Sequence, residues 1–568
     1  MKFFNFSADH CKNCYKCVRN CPVKAIKFRN DEAEIDEEKC IACGRCYVVC
    51  PKRARVVGNY IQELKDAFAQ GKKVVACVDS SYVGIFHNPG QFVTGLKMLG
   101  FSSVQEIAVG CEAVVKKYID YVKNNSDLKY IITSSCPSAY LFIRKYHPQL
   151  TKYLIPVVTP MLALGKAIKK EDKNCFTVYI GPCLSKKYEI YPPRIDADID
   201  ALINFEEIIR LFKQNFIDLD VLVETEPDRT PKECGENYSI AGDIWKPLRQ
   251  AIEENNYDFL FITGLDHVKS LFQSMEENTL ERAYIGISAC DESCINGPFI
   301  PKNRRDVFTN KQKLRSFAKK GWSTVRDDID WSNIDLSRTH KPICNERIQA
   351  SPEKIKEILE KMGKKTKMDE LDCGACGYNT CRQKAQAVFE GMAEIEMCMP
   401  YMRSKAEKMT DVYFLNSVNT LLLLDENLNV IQLNPVAEKM LGIKNDEIAG
   451  KPIPQLLEEK EFMDTIHLKK NLVNAKVHLP KFDLVVLQNV VYIKNENMIL
   501  ITMQDITQEE KRKKELDELK TNTVNTAQSV IEKQMRVAQN IASLLGETTA
   551  ETKVALNKLK DIVMKEGD

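Results

Sequence analysis

Two cysteines four residues apart, Cys290 and Cys294, follow the apolar run AYIGIS, and thiolates that close can serve one metal site. They cannot complete an iron or zinc site alone, so further ligands must come from elsewhere. The chain is well supplied, with 21 cysteines in 568 residues, none after Cys398. No apolar run approaches the roughly 20 residues that cross a bilayer, and the N-terminus has no signal-peptide pattern, so the expected location is cytoplasmic. Thiols stay reduced there, which makes metal ligation or a core position the expectation for each. The 81 lysines and arginines nearly match the 79 aspartates and glutamates, which argues against a nucleic-acid surface over the whole chain, local basic runs such as Lys511-Arg512-Lys513-Lys514 aside.

The elements that position these thiols begin with an internal repeat. Cys11, Cys14, Cys17 and Cys21-Pro22 recur, displaced by 29 residues, as Cys40, Cys43, Cys46 and Cys50-Pro51. The run resembles that of bacterial two-cluster ferredoxins, in which the fourth cysteine crosses to the other cluster. That implies one cubane on Cys11, Cys14, Cys17 and Cys50 and a second on Cys21, Cys40, Cys43 and Cys46. A pair of zinc knuckles is the bland alternative, but zinc sites rarely use two interlocked four-cysteine runs each ending in proline.

From about residue 59 helical stretches such as IQELKDAFAQGKK alternate with short apolar runs: VVACV, LKYIITSSCPS, FTVYIG, YDFLFITG and AYIGISAC. This pattern predicts buried parallel strands of an α/β domain, whose ligands gather outside the strands' carboxyl ends. Three such ends carry cysteines, at Cys136, Cys183 and the Cys290/Cys294 pair. Cys77, Cys111, Cys175, Cys234 and Cys344, taken singly, read as small core residues.

In combination T-S-x-C-P, P-C-x-x-K-x-x-E and A-C-x-x-x-C-I-N-G, with Thr159-Pro160 and Gly165 between the first two, resemble the iron-only (FeFe) hydrogenases over roughly residues 1–345. The resemblance implies an H-cluster, a four-iron cubane bridged to a di-iron azadithiolate unit carrying CO and cyanide. Its cubane would sit on Cys136, Cys183, Cys290 and Cys294, with Cys294 bridging. Lys186 matches a lysine that hydrogen-bonds one cyanide, Ser81 a serine near the other, and Glu189 is expected to fix Lys186 and its loop. The departures are informative. Ser135 stands where catalytic members carry the cysteine that delivers protons, and a hydroxyl is a far weaker acid than a thiol. Gly181 and Ser288 replace two methionines, which predicts a smaller, more polar wall. Asp291-Glu292-Ser293 replaces Pro-Gly-Gly, which predicts charge beside the cluster.

Residues 324–350 are polar and read as a linker. Ser351-Pro352 opens a short helix closed by Gly363. Cys373, Cys376, Cys381 and Cys398 then resemble a single-cubane domain, with Gly374 and Gly377 giving the backbone room around the metal; four thiolates would equally satisfy structural zinc. Further on, strands around tight turns, with Asn434, Ala437, Gly442 and Asp505-Ile506-Thr507, resemble a PAS domain. His467 and His478 read as solvated rather than as haem ligands. The tail repeats apolar residues at threes and fours, from Leu516 and Leu519 to Leu559 and Ile562, as an amphipathic signalling helix or coiled coil broken near Gly546. No histidine follows His478, so a phosphoacceptor box is absent and any output enzyme lies in another chain.

The expected architecture is multidomain, α/β and α+β: a two-cubane ferredoxin-like domain (1–58), an α/β hydrogenase domain with its H-cluster between parallel sheets (59–345), a single-cubane domain (346–410), a PAS domain (411–507) and a helical tail (508–568). The expected function is a sensory hydrogenase that binds and slowly turns over H2 and relays redox state through the H-cluster and three further 4Fe-4S clusters. Its partners would be H2, protons, a ferredoxin-type protein, a kinase, phosphatase or other signalling protein, and a second copy of the chain. The alternative is a metabolic, ferredoxin-linked hydrogenase, and a third reading is a homologue that never receives the di-iron unit.

Overall fold

The computed structural model describes residues 4–6, 10–29, 32–190, 198–232, 246–323, 329–343, 348–453, 471–494, 496–542 and 550–565. The chain divides into two compact units, Met1–Met402 and Arg403–Asp568.

The repeat at the start of the first unit is structural as well as sequential. Strands β1 (Phe4–Phe6) and β4 (Arg55–Val57) pair antiparallel, as do β2 (Ile26–Arg29) and β3 (Glu32–Ile35). Two five-residue helices, Lys16–Asn20 and Arg45–Val49, are entered through Tyr15 and Gly44, both left-handed with φ of 53° and 75°. Seven parallel strands follow: β5 (Val74–Val78), β6 (Ser103–Glu106), β7 (Tyr130–Ile132), β8 (Phe176–Gly181), β9 (Ala201–Asn204), β10 (Asp258–Thr263) and β11 (Ala283–Ser288). They form two sheets, ordered β6-β5-β8-β9 and β10-β11-β7. VVACV and AYIGIS are buried along their whole length, as strands covered on both faces must be. The five strands expected from apolar runs are all present. SVQE and ALIN, which became β6 and β9, carry no long apolar run and gave no such signal.

The expected linker at 324–350 is a correction. Its described part, 329–343, is packed onto the α/β domain: Leu336 is buried, its carbonyl accepts from the Val158 amide at 2.9 Å, and Arg338 pairs with Glu189 at 2.9 Å. Polar composition concealed this, although the strap also packs Leu336, Trp331 and Ile334 into one apolar cluster and Ile343 into another. Cys77, Cys111 and Cys175 are buried, whereas Cys234 and Cys344 lie outside the described residues. Helix Pro352–Lys361 is capped by the Ser351 hydroxyl, which accepts from the Lys354 amide, and Gly363 follows at φ +73°.

The second unit is a five-stranded antiparallel sheet of β12 (Thr420–Asp425), β13 (Val430–Leu433), β14 (Leu472–Leu479), β15 (Leu484–Ile493) and β16 (Met498–Asp505), ordered β13-β12-β16-β15-β14. Asn434 caps helix Pro435–Leu441, which stops at left-handed Gly442. His478 is exposed on β14, while His467 and the expected break near Gly546 lie outside the described residues. Helices Thr507–Ala542 and Ala550–Lys565 complete the chain. No helix among the described residues is long and apolar enough to cross a membrane.

Candidate metal centre

The carboxyl ends of β7, β8 and β11 bring Cys136, Cys183, Cys290 and Cys294 to one cavity of about 140 Å³. Proline starts helix Pro137–Tyr146 directly after Cys136, and the Ser134 hydroxyl pins the loop by donating to the carbonyls of Ile155 and Val157, each at 2.9 Å. The Ala289 amide points at the Cys136 sulfur at 3.5 Å, and the Ser185 hydroxyl lies 3.2 Å from the Cys183 sulfur. Burial pushes the Cys183, Cys290 and Cys294 thiols above their ordinary range, so thiolates here need a cationic partner such as iron. Among the described residues no three such donors lie close enough to ligate one ion; a cubane instead spreads its four thiolates over four irons. Donor type and placement therefore fit the cubane of an H-cluster.

Lys186, Ser135 and Ser288 also line this cavity. Lys186 is buried, and its ammonium donates to Asp79 Oδ2 at 3.2 Å. Burial alone would lower it, but the Asp79 carboxylate and the neighbouring thiolates hold it above its usual value. Burial works against the Asp79 charge too, yet the Lys186 ammonium and the Ser81 donors keep that carboxylate below its usual range. Asp79 follows β5, next to β8, and was missed in the sequence because a single Asp after an apolar strand carries no motif.

Three of these side chains meet partners that the sequence did not signal. Ser81 is not among the residues lining the cavity; its hydroxyl and amide both donate to Asp79 Oδ1, at 2.7 and 3.2 Å. Glu189 accepts from the Thr159 hydroxyl at 2.9 Å and pairs with Arg338, and so anchors the strap rather than Lys186. The charges of the 291–293 turn meet cations: Glu292 pairs with Lys311, and Asp291 lies 3.8 Å from Arg45. Glu292 and Ser293 both have left-handed φ, 63° and 68°, the conformation that Gly-Gly would adopt without strain.

The ferredoxin-like thiols separate into two sets. Burial pushes Cys40 and Cys43 up to about 12 and Cys46 well above its ordinary value, and Cys21 is a charged neighbour of all three. Cys11 is in turn a neighbour of Cys17, whose sulfur receives a hydrogen bond from Arg55 at 3.2 Å. Cys21 thus groups with Cys40, Cys43 and Cys46 rather than with its own run. Cys43 also lines the large cavity, which puts the second set beside it.

Cys373, Cys376, Cys381 and Cys398 line a separate small cavity together with Lys364 and Lys384, two cations suited to an anionic cluster. Their module docks on the ferredoxin-like fold. Lys24 donates to the Gly377 carbonyl at 2.7 Å, Arg19 to the Ala375 carbonyl at 2.9 Å, and Lys39 pairs with Glu390 at 2.9 Å. Gly377 gives room for this contact rather than for a metal: with φ +96°, a Cβ there would fall 2.7 Å from Val18 Cγ1. Gly377→Ala is expected to cost about 1–3 kcal/mol through strain and collision, measured as faster hydrogen exchange in helix Cys381–Phe389 with β5 and β8 unchanged.

The central domain is related to the iron-only hydrogenases. Residues 72–298 match the family "Iron only hydrogenase large subunit, C-terminal domain", residues 4–61 a 4Fe-4S dicluster domain, and residues 368–400 an Fe-S cluster family. Iron hydrogenase 1 of Clostridium pasteurianum is 25% identical over 361 residues, which are 50% of this chain and 63% of that protein. The NADP-reducing hydrogenase subunit HndD of Solidesulfovibrio fructosivorans is 24% identical over 385 residues, 54% of this chain and 66% of that one. The chain thus spans a little under two thirds of the length of these relatives. A solved variant of the FeFe-hydrogenase HydA1 from Chlamydomonas reinhardtii is 17% identical, with a TM-score of 0.39 over 47% of this chain and 91% of that chain. The hydrogenase-like domain therefore joins a family match to a cavity lined by the four cysteines its motifs single out.

Proposed function

We propose that this chain is a sensory hydrogenase: Cys136, Cys183, Cys290 and Cys294 would hold an H-cluster, and the protein reports H2 rather than processing it quickly. When bound, the H-cluster supplies the chemistry that splits or forms H2. The protein's residues orient and charge it: Lys186 offers its ammonium to an anionic ligand, and Ser135 lies in the cavity wall where a fast proton donor is needed. The observation that carries the reading is the cavity that joins all four thiols to Lys186 but offers a hydroxyl at 135.

Three further 4Fe-4S clusters, on the two ferredoxin-like sets and on Cys373, Cys376, Cys381 and Cys398, would pass redox state onward. Helix Met399–Leu415 begins at the residue after Cys398 and leads in sequence to the proposed signalling part. The second unit's five-stranded antiparallel sheet and its capped Asn434 helix support a PAS module within 411–507. Helix Thr507–Ala542 carries Leu516, Val530, Val537 and Ile541 exposed at heptad-compatible spacings, which supports dimerisation with a second copy. A signalling protein in trans and a ferredoxin-type donor complete the proposed partners, in the cytoplasm.

The test is to load the protein with the di-iron precursor and record CO and cyanide infrared bands with and without H2 while measuring turnover. H2-responsive bands with weak turnover are expected. Turnover comparable to that of metabolic hydrogenases would support the alternative, a ferredoxin-linked metabolic enzyme, and would sink the sensor.

A further inference from the structure

We propose that Asp79, braced by Tyr179 and Ser81, is a positioning residue for Lys186: it holds the ammonium at a fixed point in the cavity wall and offsets part of the charge that reaches an anionic ligand there. The proposal rests on the reading that the cavity takes a di-iron group with cyanide ligands.

The geometry points this way from several sides. An ammonium has three donors, and Lys186 gives one to Asp79 Oδ2 while its charge lies over the Tyr179 ring, 4.4 Å from the centroid. Asp79 cannot swing away. Its Oδ1 accepts from the Ser81 amide and hydroxyl, its Oδ2 from the Tyr179 hydroxyl at 3.1 Å, and its own amide donates to the Ile180 carbonyl at 2.9 Å. The carboxylate and its lysine are both fully buried, so their attraction is little screened by solvent.

Gly181 belongs to the same arrangement. A Cβ at 181 would fall 2.3 Å from the Tyr179 hydroxyl and 2.7 Å from Asp79 Cβ. The space that a longer side chain would need is taken by the hydroxyl that steadies Asp79. The smaller, more polar wall expected from Gly181 thus has a buried tyrosine and carboxylate packed against that glycine. A lysine so held keeps its ammonium at one point in the wall, and a fixed negative charge beside it weakens its pull on an anionic ligand. The same charge disfavours adding an electron to the group in front of it.

The experiment uses the full chain, loaded with the di-iron precursor, as wild type, Asp79→Asn and Tyr179→Phe. Expected are cyanide bands that shift more than CO bands in Asp79→Asn, with a reduction midpoint moved to higher potential. Tyr179→Phe, which removes one brace and keeps the ring, should move both in the same direction by less, and Asp79→Glu should restore part of the midpoint shift. If Asp79→Asn does not fold, Tyr179→Phe decides. Unchanged bands and midpoint in the variants, at wild-type loading, would overturn the role given to Asp79 and leave the cofactor reading standing. No CO or cyanide bands in loaded wild type would overturn the cofactor reading and this proposal with it.

Discussion

Ser135→Cys is expected to raise H2 turnover about a hundredfold, the low end of what a well-placed proton donor contributes. Ser135 follows β7, lines the cavity and immediately precedes Cys136. A thiol of ordinary pKa near 8.5 can release and recover a proton in neutral water, whereas a hydroxyl must relay through solvent. The gain should stay at the low end because burial pushes thiols up in this wall, as it does Cys111, which reaches about 12. Oxidation of H2 with a dye acceptor and evolution from a reduced donor should rise together, with the infrared bands of the loaded protein little changed. Equal turnover at equal loading would show that proton delivery at this position is not limiting.

Glu189→Ala is expected to loosen the 329–343 strap by about 3 kcal/mol. Glu189 is buried, and its two oxygens serve Thr159, which immediately precedes helix Pro160–Glu171, and Arg338 on the strap. Removing the carboxylate leaves a guanidinium and a hydroxyl without their acceptor. The effect falls at the lower end of the range for a broken buried pair because the Arg338 side chain keeps 19% of its exposure. A chain of two units does not unfold in one step, so amide exchange is the better measure, with protection around Leu336 and Arg338 reduced roughly a hundredfold. Glu189→Ala combined with Arg338→Ala should cost less than the sum of the single changes. A strap unaffected by Glu189→Ala would mean that Leu336 and the backbone bonds hold it unaided.

Sequence alone singled out the cysteines that the fold gathers around its cavities. Thiols repeat at intervals that only a few metal sites use, and they carry glycine, proline and lysine at fixed offsets, so the cluster-binding loops could be read before any fold was known. Buried parallel strands were legible for a similar reason: a strand covered on both faces must be apolar throughout, and VVACV and AYIGIS are. What tertiary structure decided are contacts between residues far apart in the chain. Asp79 meets Lys186 across 107 positions because β5 and β8 are neighbours in one sheet. Glu189 turns from Lys186 to Arg338 because the 329–343 strap, whose scattered apolar residues match neither a helix nor a strand period, folds back on the domain. Gly377 is free of a side chain because Val18 lies against it, and Gly181 because Tyr179 does. Local spacing encodes which atoms bind a metal; which charge stands behind those atoms depends on strand order and packing, and no run of adjacent residues records it.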